Sequence, residues 1–342
     1  MNTRAKIAFA ATGIAAGLMV QRKLQKSREH LIGGRVVLIT GGSRGLGLAL
    51  AHRFAREGCH VAICARDEDE LTRAREGLEQ IGASVFSVQC DVTRRSEVEQ
   101  MIEDVTSHFG RVDILVNNAG LIKVGPIESM TLSDFDEAMD ALFWGVVNPT
   151  MTVLPAFLQK NRGQIVNITS IGAKISVPHL VPYCSAKHAA AGFSEGLREE
   201  LAHTGVKVTT VAPGLMRTGS FLAALFKGDR EAESRWFSIG ASLPGLSISA
   251  NRAARQIVSS VKRGDAELIL TLPAKVLAKA NGIAPQTTQK VLGWAAHKIL
   301  PDGSSDKHST AGWRLSNLKS MKMRPFLILG RMAARRFNQH VG

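Results

Sequence analysis

The chain has 342 residues, 45% of them apolar, which is typical of a globular protein and excludes a disordered one. Its net charge is +14, but residues 1–30 carry +5 and residues 307–342 carry +8, leaving +1 for the rest. The basic tails lack interleaved aromatic residues and any nucleic-acid module, so they predict an anionic membrane surface as partner and no nucleic acid. Four cysteines without metal-ligand spacing or a disulfide framework predict a reducing, cytoplasmic location and no metal site.

Residues 7–20 form an uncharged apolar run of 14 residues between basic flanks. As a helix this run would span about 21 Å, which is short of a hydrocarbon core of about 30 Å. The basic cluster directly after it disfavours cleavage as a signal peptide. Three interpretations stay open for this N-terminal extension, residues 1–30: a short or tilted membrane anchor, an interfacial helix, or a helix on the protein's own surface.

From residue 35 onward, strand patterns alternate with helix patterns. The predicted strands are 36–40, 60–65, 85–89, 114–116, 164–168, 206–211 and 267–270. The predicted helices are 48–57, 68–80, 96–109, 133–160 with Ser133 as N-cap and a kink at Pro149, 182–203 and 250–263. This alternation predicts an α/β, Rossmann-type, doubly wound fold, with a mainly parallel sheet of seven strands and helices on both faces.

Beyond residue 270 the alternation stops, so we divide the chain into a domain of residues 31–270 and a partly helical C-terminal extension of residues 271–342. Residues 273–300 have a helical pattern, and residues 301–312 read as a polar linker. Residues 321–337 predict a basic amphipathic element of the membrane-surface type. A solvated or self-docked tail is the alternative for that last stretch.

A glycine-rich turn, Gly41-Gly42-Ser43-Arg44-Gly45-Leu46-Gly47, joins the first predicted strand to the first predicted helix. A helix N-terminus offers free N–H groups and a positive dipole end, and glycines allow a pyrophosphate to approach the backbone. This turn therefore predicts a dinucleotide site.

Tyr183 is the only tyrosine in the chain, and Lys187 follows it by four residues. On a helix, this spacing places both side chains on one face. An ammonium group favours the phenolate and moves the phenol pKa towards neutrality, as a general acid or base requires. The pair predicts acid–base catalysis, although a chance YxxxK on an amphipathic helix is the alternative for the pair taken alone.

Together with four further motifs, these features resemble the classical short-chain dehydrogenase/reductase family over roughly residues 33–270. The further motifs are Asp91-Val92, Asn117-Asn118-Ala119-Gly120, Ser170 at thirteen residues before Tyr183, and Pro213-Gly214-x-x-x-Thr218. The resemblance implies that Tyr183 is the proton donor or acceptor, that Lys187 lowers the Tyr183 pKa and holds the nicotinamide ribose, and that Ser170 positions the substrate oxygen. The candidate cofactor-binding residues are Thr40, Gly41, Ser43, Arg44, Gly45, Leu46, Gly47, Arg66, Asp91, Val92, Asn118, Ala119, Gly120, Tyr183, Lys187, Pro213, Gly214 and Thr218.

The cofactor expected from the charges is NADP(H). Relatives that bind NAD place an acid at the end of the second strand, where this chain has Ala65 followed by Arg66. Arg44 lies inside the glycine-rich turn, and two guanidinium groups at the 2′ position suit a phosphate. Asp67 reads as a helix cap.

One position departs from the family pattern. Alignment places Leu142 where the family carries an Asn that helps to relay protons to the Lys, and Asn148 is too far along the helix to replace it. The sequence therefore leaves open an alternative function, that of an NADP(H)-binding sensor or scaffold with weak or no turnover.

The family's variable substrate lid corresponds to residues 219–246, which are rich in apolar side chains. These predict an apolar pocket and a hydrophobic carbonyl or alcohol as substrate, of fatty-acyl, sterol-like or isoprenoid type. The apolar lid residues are Phe221, Leu222, Leu225, Phe226, Trp236 and Phe237. The resemblance also implies a homodimer or homotetramer.

Overall fold

The computed structural model describes residues 29–315 and 324–339. The predicted apolar run of residues 7–20 therefore lies outside the described residues, as does the beginning of the predicted amphipathic element of residues 321–337.

A seven-stranded sheet forms the centre of the molecule. Its strands are β1 Val36–Thr40, β2 His60–Ala65, β3 Val85–Gln89, β4 Ile114–Asn117, β5 Gly163–Ile168, β6 Val206–Ala212 and β7 Glu267–Ile269. They are ordered β7-β6-β5-β4-β1-β2-β3, and every neighbouring pair is parallel. The predicted fold class is confirmed. The strand order reverses between β1 and β4, and ligands of such sheets bind at the carboxyl ends of the strands beside that point.

Twelve helices in the described residues surround or extend the sheet. They are α1 Gly45–Arg56, α2 Glu68–Glu79, α3 Arg95–Phe109, α4 Leu132–Met139, α5 Gly145–Gln159, α6 Val181–Glu200, α7 Ser220–Ala223, α8 Arg230–Ser242, α9 Ala250–Arg263, α10 Leu272–Ile283, α11 Pro285–Ile299 and α12 Arg324–Arg336. A π-helical segment, Asp140–Trp144, separates α4 from α5. The remaining elements are short strands at Lys123–Val124, Met216–Arg217, Leu225–Phe226, Ile248–Ser249 and Thr310–Ala311, and 3₁₀ turns at Ile127–Ser129, Ile171–Ala173 and Gly312–Arg314.

The core lies on both faces of the sheet, and α9 shows how the sequence builds it. Its apolar residues recur three or four positions apart, so that one stripe is buried against α1 and the sheet. Ile257, Val258 and Val261 are each 0–1% exposed. Burying a side chain of this size contributes about 1.5–3 kcal/mol, so this stripe fixes the helix on the sheet.

The predicted start of α4 was wrong, and the kink at Pro149 stays a prediction. Thr131 precedes the helix, and its N–H and hydroxyl donate to Asp134 at 2.7 and 3.0 Å, so Thr131 and not Ser133 occupies the cap position. The helical path is interrupted at the π segment, before Pro149. Pro149 has no N–H for the carbonyl of Gly145, so the missing bond falls next to backbone that is already irregular.

The C-terminal extension differs from its predicted outline. The helical pattern of residues 273–300 forms two helices, α10 and α11, joined at Ala284. The predicted linker of residues 301–312 is bound to the lid, since Thr310–Ala311 pairs antiparallel with Leu225–Phe226 and the Gly228 N–H donates to the Asp306 carbonyl at 2.9 Å. The extension is therefore folded onto the domain.

Within the part of the chain that the structure describes, one helical stretch is long and apolar enough to cross a membrane. It is Leu132–Gln159, formed by α4, the π segment and α5. Val153 and Phe157 of this stretch are 1–2% exposed and belong to the core cluster beneath the sheet. The stretch is accordingly a core helix of the domain.

Candidate active site

The structure brings Ser170, Tyr183 and Lys187 together at the carboxyl end of β5. Ser170 follows that strand, and its Oγ accepts a hydrogen bond from the Gly172 N–H at 3.0 Å. Tyr183 and Lys187 lie on α6, and the Tyr183 hydroxyl is hydrogen-bonded to Ser170. Lys187 Nζ donates to the Ile168 carbonyl at 2.7 Å and lies 6.0 Å from the centre of the Tyr183 ring. The three side chains form one constellation.

Burial shifts the two titratable groups of this constellation in opposite directions. It raises the pKa of Tyr183 to about 12, against the opposing effect of the hydrogen bond with Ser170. Burial also lowers the pKa of Lys187 to about 8. At neutral pH the phenol therefore keeps its proton, in the form that a general acid needs, and Lys187 carries a buried charge.

This buried charge predicts a stability effect. Because the Lys187 pKa falls from 10.5 to about 8 on folding, the unfolded chain binds more protons between these values and stability rises with pH there. Below about pH 8 the cost of burying the charge is fully present. After allowing for the lost bond to Ile168, we expect Lys187→Met to raise the free energy of unfolding at pH 7 by about 2 kcal/mol.

Denaturant unfolding of the wild type and Lys187→Met between pH 7 and pH 10 measures this effect. The gain in the variant should shrink as the pH rises through the window from about 8 to 10.5. Lys160→Met is a matched control because Lys160 is exposed at the end of α5. An equal gain in both variants, or a gain independent of pH, would contradict the prediction.

Parts of the glycine-rich turn lie so close to neighbouring backbone that a side chain would not fit there. A Cβ on Gly47 would lie 2.0 Å from the Gly41 carbonyl oxygen, and one on Gly41 would lie 2.8 Å from Ala119 Cα. Gly45 has φ of +58°, in the left-handed region that glycine adopts readily. The turn therefore carries no side chain at these glycines, and close approach of a phosphate to the N-terminus of α1 requires this.

Hydrogen bonds tie the glycine-rich turn to the loop after β4. Thr40 Oγ1 accepts from the N–H groups of Asn118 and Ala119 at 3.0 and 3.1 Å. The Asn118 side-chain amide donates to the carbonyls of Thr40 and Gly41, both at 3.0 Å. Two predicted cofactor-binding segments are thus held as one surface at the point where the strand order reverses.

Arg44 and Arg66 were expected to lie together, and the structure shows them in different surroundings. Arg44 forms an ion pair with Glu70 at 2.9 Å, and the Ser43 hydroxyl donates to the same carboxylate at 3.0 Å. Arg66 is exposed at the end of β2. Sequence reasoning missed Glu70, which resembles an ordinary acidic residue in the first turn of a helix. Asp67 caps this helix as predicted, accepting from the Glu70 N–H at 2.8 Å.

The other predicted cofactor-binding segments also lie at the carboxyl ends of the sheet strands. Asp91 follows β3, and its carboxylate accepts from the N–H and hydroxyl of Thr93 at 3.1 and 2.9 Å. Pro213 follows β6, and its carbonyl accepts from the Ile171 N–H, next to Ser170, at 2.7 Å. Thr218 is buried, and its Oγ1 accepts from the Ser220 N–H at 3.3 Å.

Leu142 is buried in the π segment beside α6. It forms an apolar cluster with Ala186 and Tyr183, and a Cβ on Gly120 would lie 2.7 Å from its Cδ2 atom. Asn148 points elsewhere, since its amide donates to the Val92 carbonyl at 3.2 Å. An apolar side chain therefore lies next to the candidate catalytic residues, at the position where the family carries an Asn.

A buried polar network runs beneath the candidate catalytic residues. The Asn117 amide donates to Thr150 at 2.9 Å and to Asn167 at 2.8 Å. The Asn167 amide donates to Ser194 at 2.9 Å, and the Ser194 hydroxyl lies 2.7 Å from that of Thr210. The network links strands β4, β5 and β6 to helices α5 and α6. Of these helices, α6 carries Tyr183 and Lys187.

The lid is closed in this structure. Its apolar side chains were expected to line a pocket, but they are buried in a cluster with residues of α12. The buried lid residues are Phe221, Leu222, Phe226 and Phe237. His179 Nδ1 and Trp236 Nε1 each lie 2.7 Å from the Glu233 carboxylate, and this contact joins the lid to the loop before Tyr183. Sequence reasoning missed Glu233 because only the lid's closed position brings it to His179.

A cavity of about 250 Å³ lies apart from the candidate catalytic residues, between α10–α11 and the loop of residues 174–178. Ile175, His188 and Leu292 are among its lining residues, and none of Ser170, Tyr183 and Lys187 lines it.

The comparisons with known proteins agree with this geometry. The family described as short chain dehydrogenase matches residues 35–225. An oxidoreductase named SadH from Mycobacterium tuberculosis is 34% identical over 272 residues, covering 78% of this chain and 97% of the relative.

Two solved structures are also similar. An actinorhodin polyketide ketoreductase with NADPH has a TM-score of 0.63 and 30% identity, covering 70% of this chain and 96% of that one. A short chain dehydrogenase/reductase of Burkholderia phymatum, solved with NAD, has a TM-score of 0.71 and covers 75% of this chain and 96% of that one. At 22% identity, this second likeness shows the fold alone.

Proposed function

The chain belongs to the short-chain dehydrogenase family of oxidoreductases, and we propose that it interconverts a carbonyl and an alcohol on a hydrophobic substrate with NADP(H). The observation that carries the proposal is the joining of Ser170, Tyr183 and Lys187 at the edge of the sheet where the glycine-rich turn also lies.

The chemistry of the three residues follows from their contacts. The Tyr183 hydroxyl, which keeps its proton at neutral pH, donates that proton to the substrate oxygen in reduction and is left as the phenolate. In oxidation the phenolate form takes the proton from the substrate hydroxyl and becomes the phenol again. The Ser170 hydroxyl, one hydrogen bond away, orients the same oxygen. Lys187 supplies a positive charge 6.0 Å from the phenol ring, which favours the phenolate left after proton transfer.

The cofactor proposal rests on two arginine charges and on the glycines of the turn, which carry no side chains. The turn and the N-terminus of α1 would hold the pyrophosphate, with Arg44 and Arg66 beside a 2′-phosphate. Asn118, Ala119 and Gly120 would border the nicotinamide half together with Pro213, Gly214 and Thr218. When bound, the nicotinamide supplies or accepts the hydride.

The substrate proposal rests on the lid. Apolar lid side chains pack close to Tyr183, which belongs to the edge of the same cluster. The polyketide ketoreductase that resembles this chain acts, by its name, on a keto group of a polyketide. A fatty-acyl, sterol-like or isoprenoid ketone, aldehyde or alcohol fits this chemistry.

A panel of lipophilic and polar carbonyl compounds, assayed with NADPH and with NADH side by side, tests the proposal. We expect oxidation of NADPH with at least one lipophilic carbonyl and little with polar ones. No turnover on any compound, although NADPH binds, would favour a second function, that of an NADP(H)-binding sensor. The specific observation behind that alternative is the apolar Leu142 beside Tyr183.

We also propose that the protein, in the cytoplasm, associates with an anionic membrane surface. The helical pair α10–α11 supports this, because it exposes a group of large apolar side chains and contains no acidic residue. Its exposed apolar residues are Leu272, Val276, Leu277, Ile283, Val291, Trp294 and Ile299. Lys275, Lys279, Lys290 and Lys298 are exposed on the same helices. Apolar side chains with Trp and Lys are typical of interfacial helices.

Co-sedimentation with lipid vesicles checks the membrane proposal. We expect binding to vesicles rich in phosphatidylserine, weaker binding in high salt, and at least about tenfold weaker binding for Trp294→Glu, which places a charge in the apolar face. Ile81→Glu is the control, because Ile81 is 47% exposed in the turn after α2. Equal loss in both variants, or equal binding to neutral vesicles, would overturn the role of α10–α11.

A further inference from the structure

The C-terminal end of the described chain lies on the glycine-rich turn. Helix α12 packs along the lid, where a Cβ on Gly330 would lie 2.8 Å from Phe221 and one on Gly219 would lie 2.5 Å from the Ala334 Cβ. The helix then ends at Arg336, and the next three residues, Phe337–Gln339, reach the N-terminus of α1. We name these three residues the strap.

The strap has a defined conformation that its sequence favours. Asn338 has φ of 54°, a left-handed conformation that Asn tolerates better than most residues. The Gln339 N–H donates to the Ala334 carbonyl at 2.9 Å, which is the bond of a Schellman cap. The end of α12 thus turns sharply and presents the strap to the domain.

Three contacts place the strap on the groups that phosphates would use. The Gly45 N–H, at the first residue of α1, donates to the Phe337 carbonyl at 2.9 Å. The Asn338 amide donates to the carbonyls of Ser43 at 3.0 Å and Glu70 at 2.9 Å, and its Oδ1 accepts from Arg73. Gln339 is 7% exposed, and its Nε2 lies 2.9 Å from the position of a Cβ on Gly45.

We propose that the strap is an autoinhibitory element that competes with the phosphates of the dinucleotide for the glycine-rich turn. A helix N-terminus has few free N–H groups, and the bond from Gly45 to Phe337 already uses one. The space directly above Gly45 is filled by Gln339. This inference rests on the proposed cofactor site. It adds that cofactor binding to this site is regulated, and the site could bind the cofactor without such regulation.

The competition sets how tightly the cofactor binds. If only the strap-free state accepts the dinucleotide, the measured Kd equals the intrinsic Kd divided by the fraction of molecules in that state. A substitution that weakens the strap therefore tightens cofactor binding, although every proposed cofactor-binding residue stays unchanged. The lid shares α12 with the strap, so release of the strap also loosens the cover over Tyr183.

Asn338→Gly in the full chain is the direct test, because glycine keeps the left-handed conformation and removes only the side-chain hydrogen bonds. We expect NADPH, titrated by calorimetry, to bind about tenfold more tightly to the variant. Gln339→Ala should act in the same direction. Met332→Ala is the control, because Met332 is 62% exposed on α12.

The outcomes separate the strap from the cofactor site itself. Unchanged or weaker NADPH binding in Asn338→Gly, with binding by the wild type, would overturn the strap and leave the proposed function standing. Absence of NADPH binding by both proteins would overturn both proposals. Hydrogen exchange gives a second readout: amides of residues 327–339 should exchange faster when NADPH is present, and slower exchange would show that the strap closes over the cofactor instead.

Discussion

Tyr183→Phe is expected to lower kcat/KM for carbonyl reduction about a thousandfold while leaving NADPH binding within about twofold. The substitution removes only the hydroxyl that bonds to Ser170 and donates the proton. A positioned general acid contributes typically about 10²–10⁴-fold, and phenylalanine has no proton to donate in its place. The measurement is initial rates of NADPH oxidation with the best lipophilic carbonyl of the panel.

Ser185→Ala is the matched control for this experiment, because Ser185 is exposed on the same helix and its hydroxyl donates to the Val181 carbonyl at 2.9 Å. Since Tyr183 is the only tyrosine, its pKa can also be read directly from the ultraviolet absorbance change on titration. Undiminished turnover by Tyr183→Phe would rule out its role as the acid. No turnover by the wild type would favour the sensor function.

Replacing both Arg44 and Arg66 with Ser is expected to raise the Kd of NADPH about a hundredfold and to leave that of NADH nearly unchanged. Each hydrogen bond between charged groups contributes about 1.5–3 kcal/mol, and only NADPH has a 2′-phosphate to receive it. The expected change in Kd corresponds to the lower end of this energy range, because Arg44 must exchange its bond with Glu70 for one with the phosphate.

The ratio of the two Kd values is the quantity to measure. Displacement of the strap costs the same for both cofactors, so it cancels in that ratio. Arg94→Ser is the control, because the Arg94 side chain is 70% exposed and is paired with Glu97. A ratio unchanged in the double variant would show that neither arginine contacts a 2′-phosphate.

The sheet was predictable because it depends on local repeats, and the grouping of Ser170 with Tyr183 was predictable because their spacing resembles that of a known family. Alternating apolar strands and amphipathic helices leave few topologies, and right-handed crossovers then bring the ends of β1, β4 and β5 to one edge. The helix cap formed by Asp67 was also predictable, since a cap depends on residues three positions apart.

The strap and the lid contacts were not predictable, because they join residues that are distant in the sequence. Asn338 contacts Glu70 across 268 positions, and His179 contacts Glu233 across 54. The local pattern at residues 301–312 indicated only a polar linker, while its pairing with Leu225–Phe226 depends on where the lid lies. The choice of Thr131 over Ser133 shows the same limit at short range, since both residues can cap a helix.

The buried polar network beneath the site also determines the alignment of the strands. Each of Asn117, Asn167, Ser194 and Thr210 has a partner on a different element. A slip of β5 by one residue would turn Asn167 to the other face of the sheet and leave several buried groups unpaired, at about 1–3 kcal/mol each. Apolar strands alone discriminate weakly between such alignments when both faces are buried. The network therefore selects the one register in which Ser170 follows β5 at the height of Tyr183.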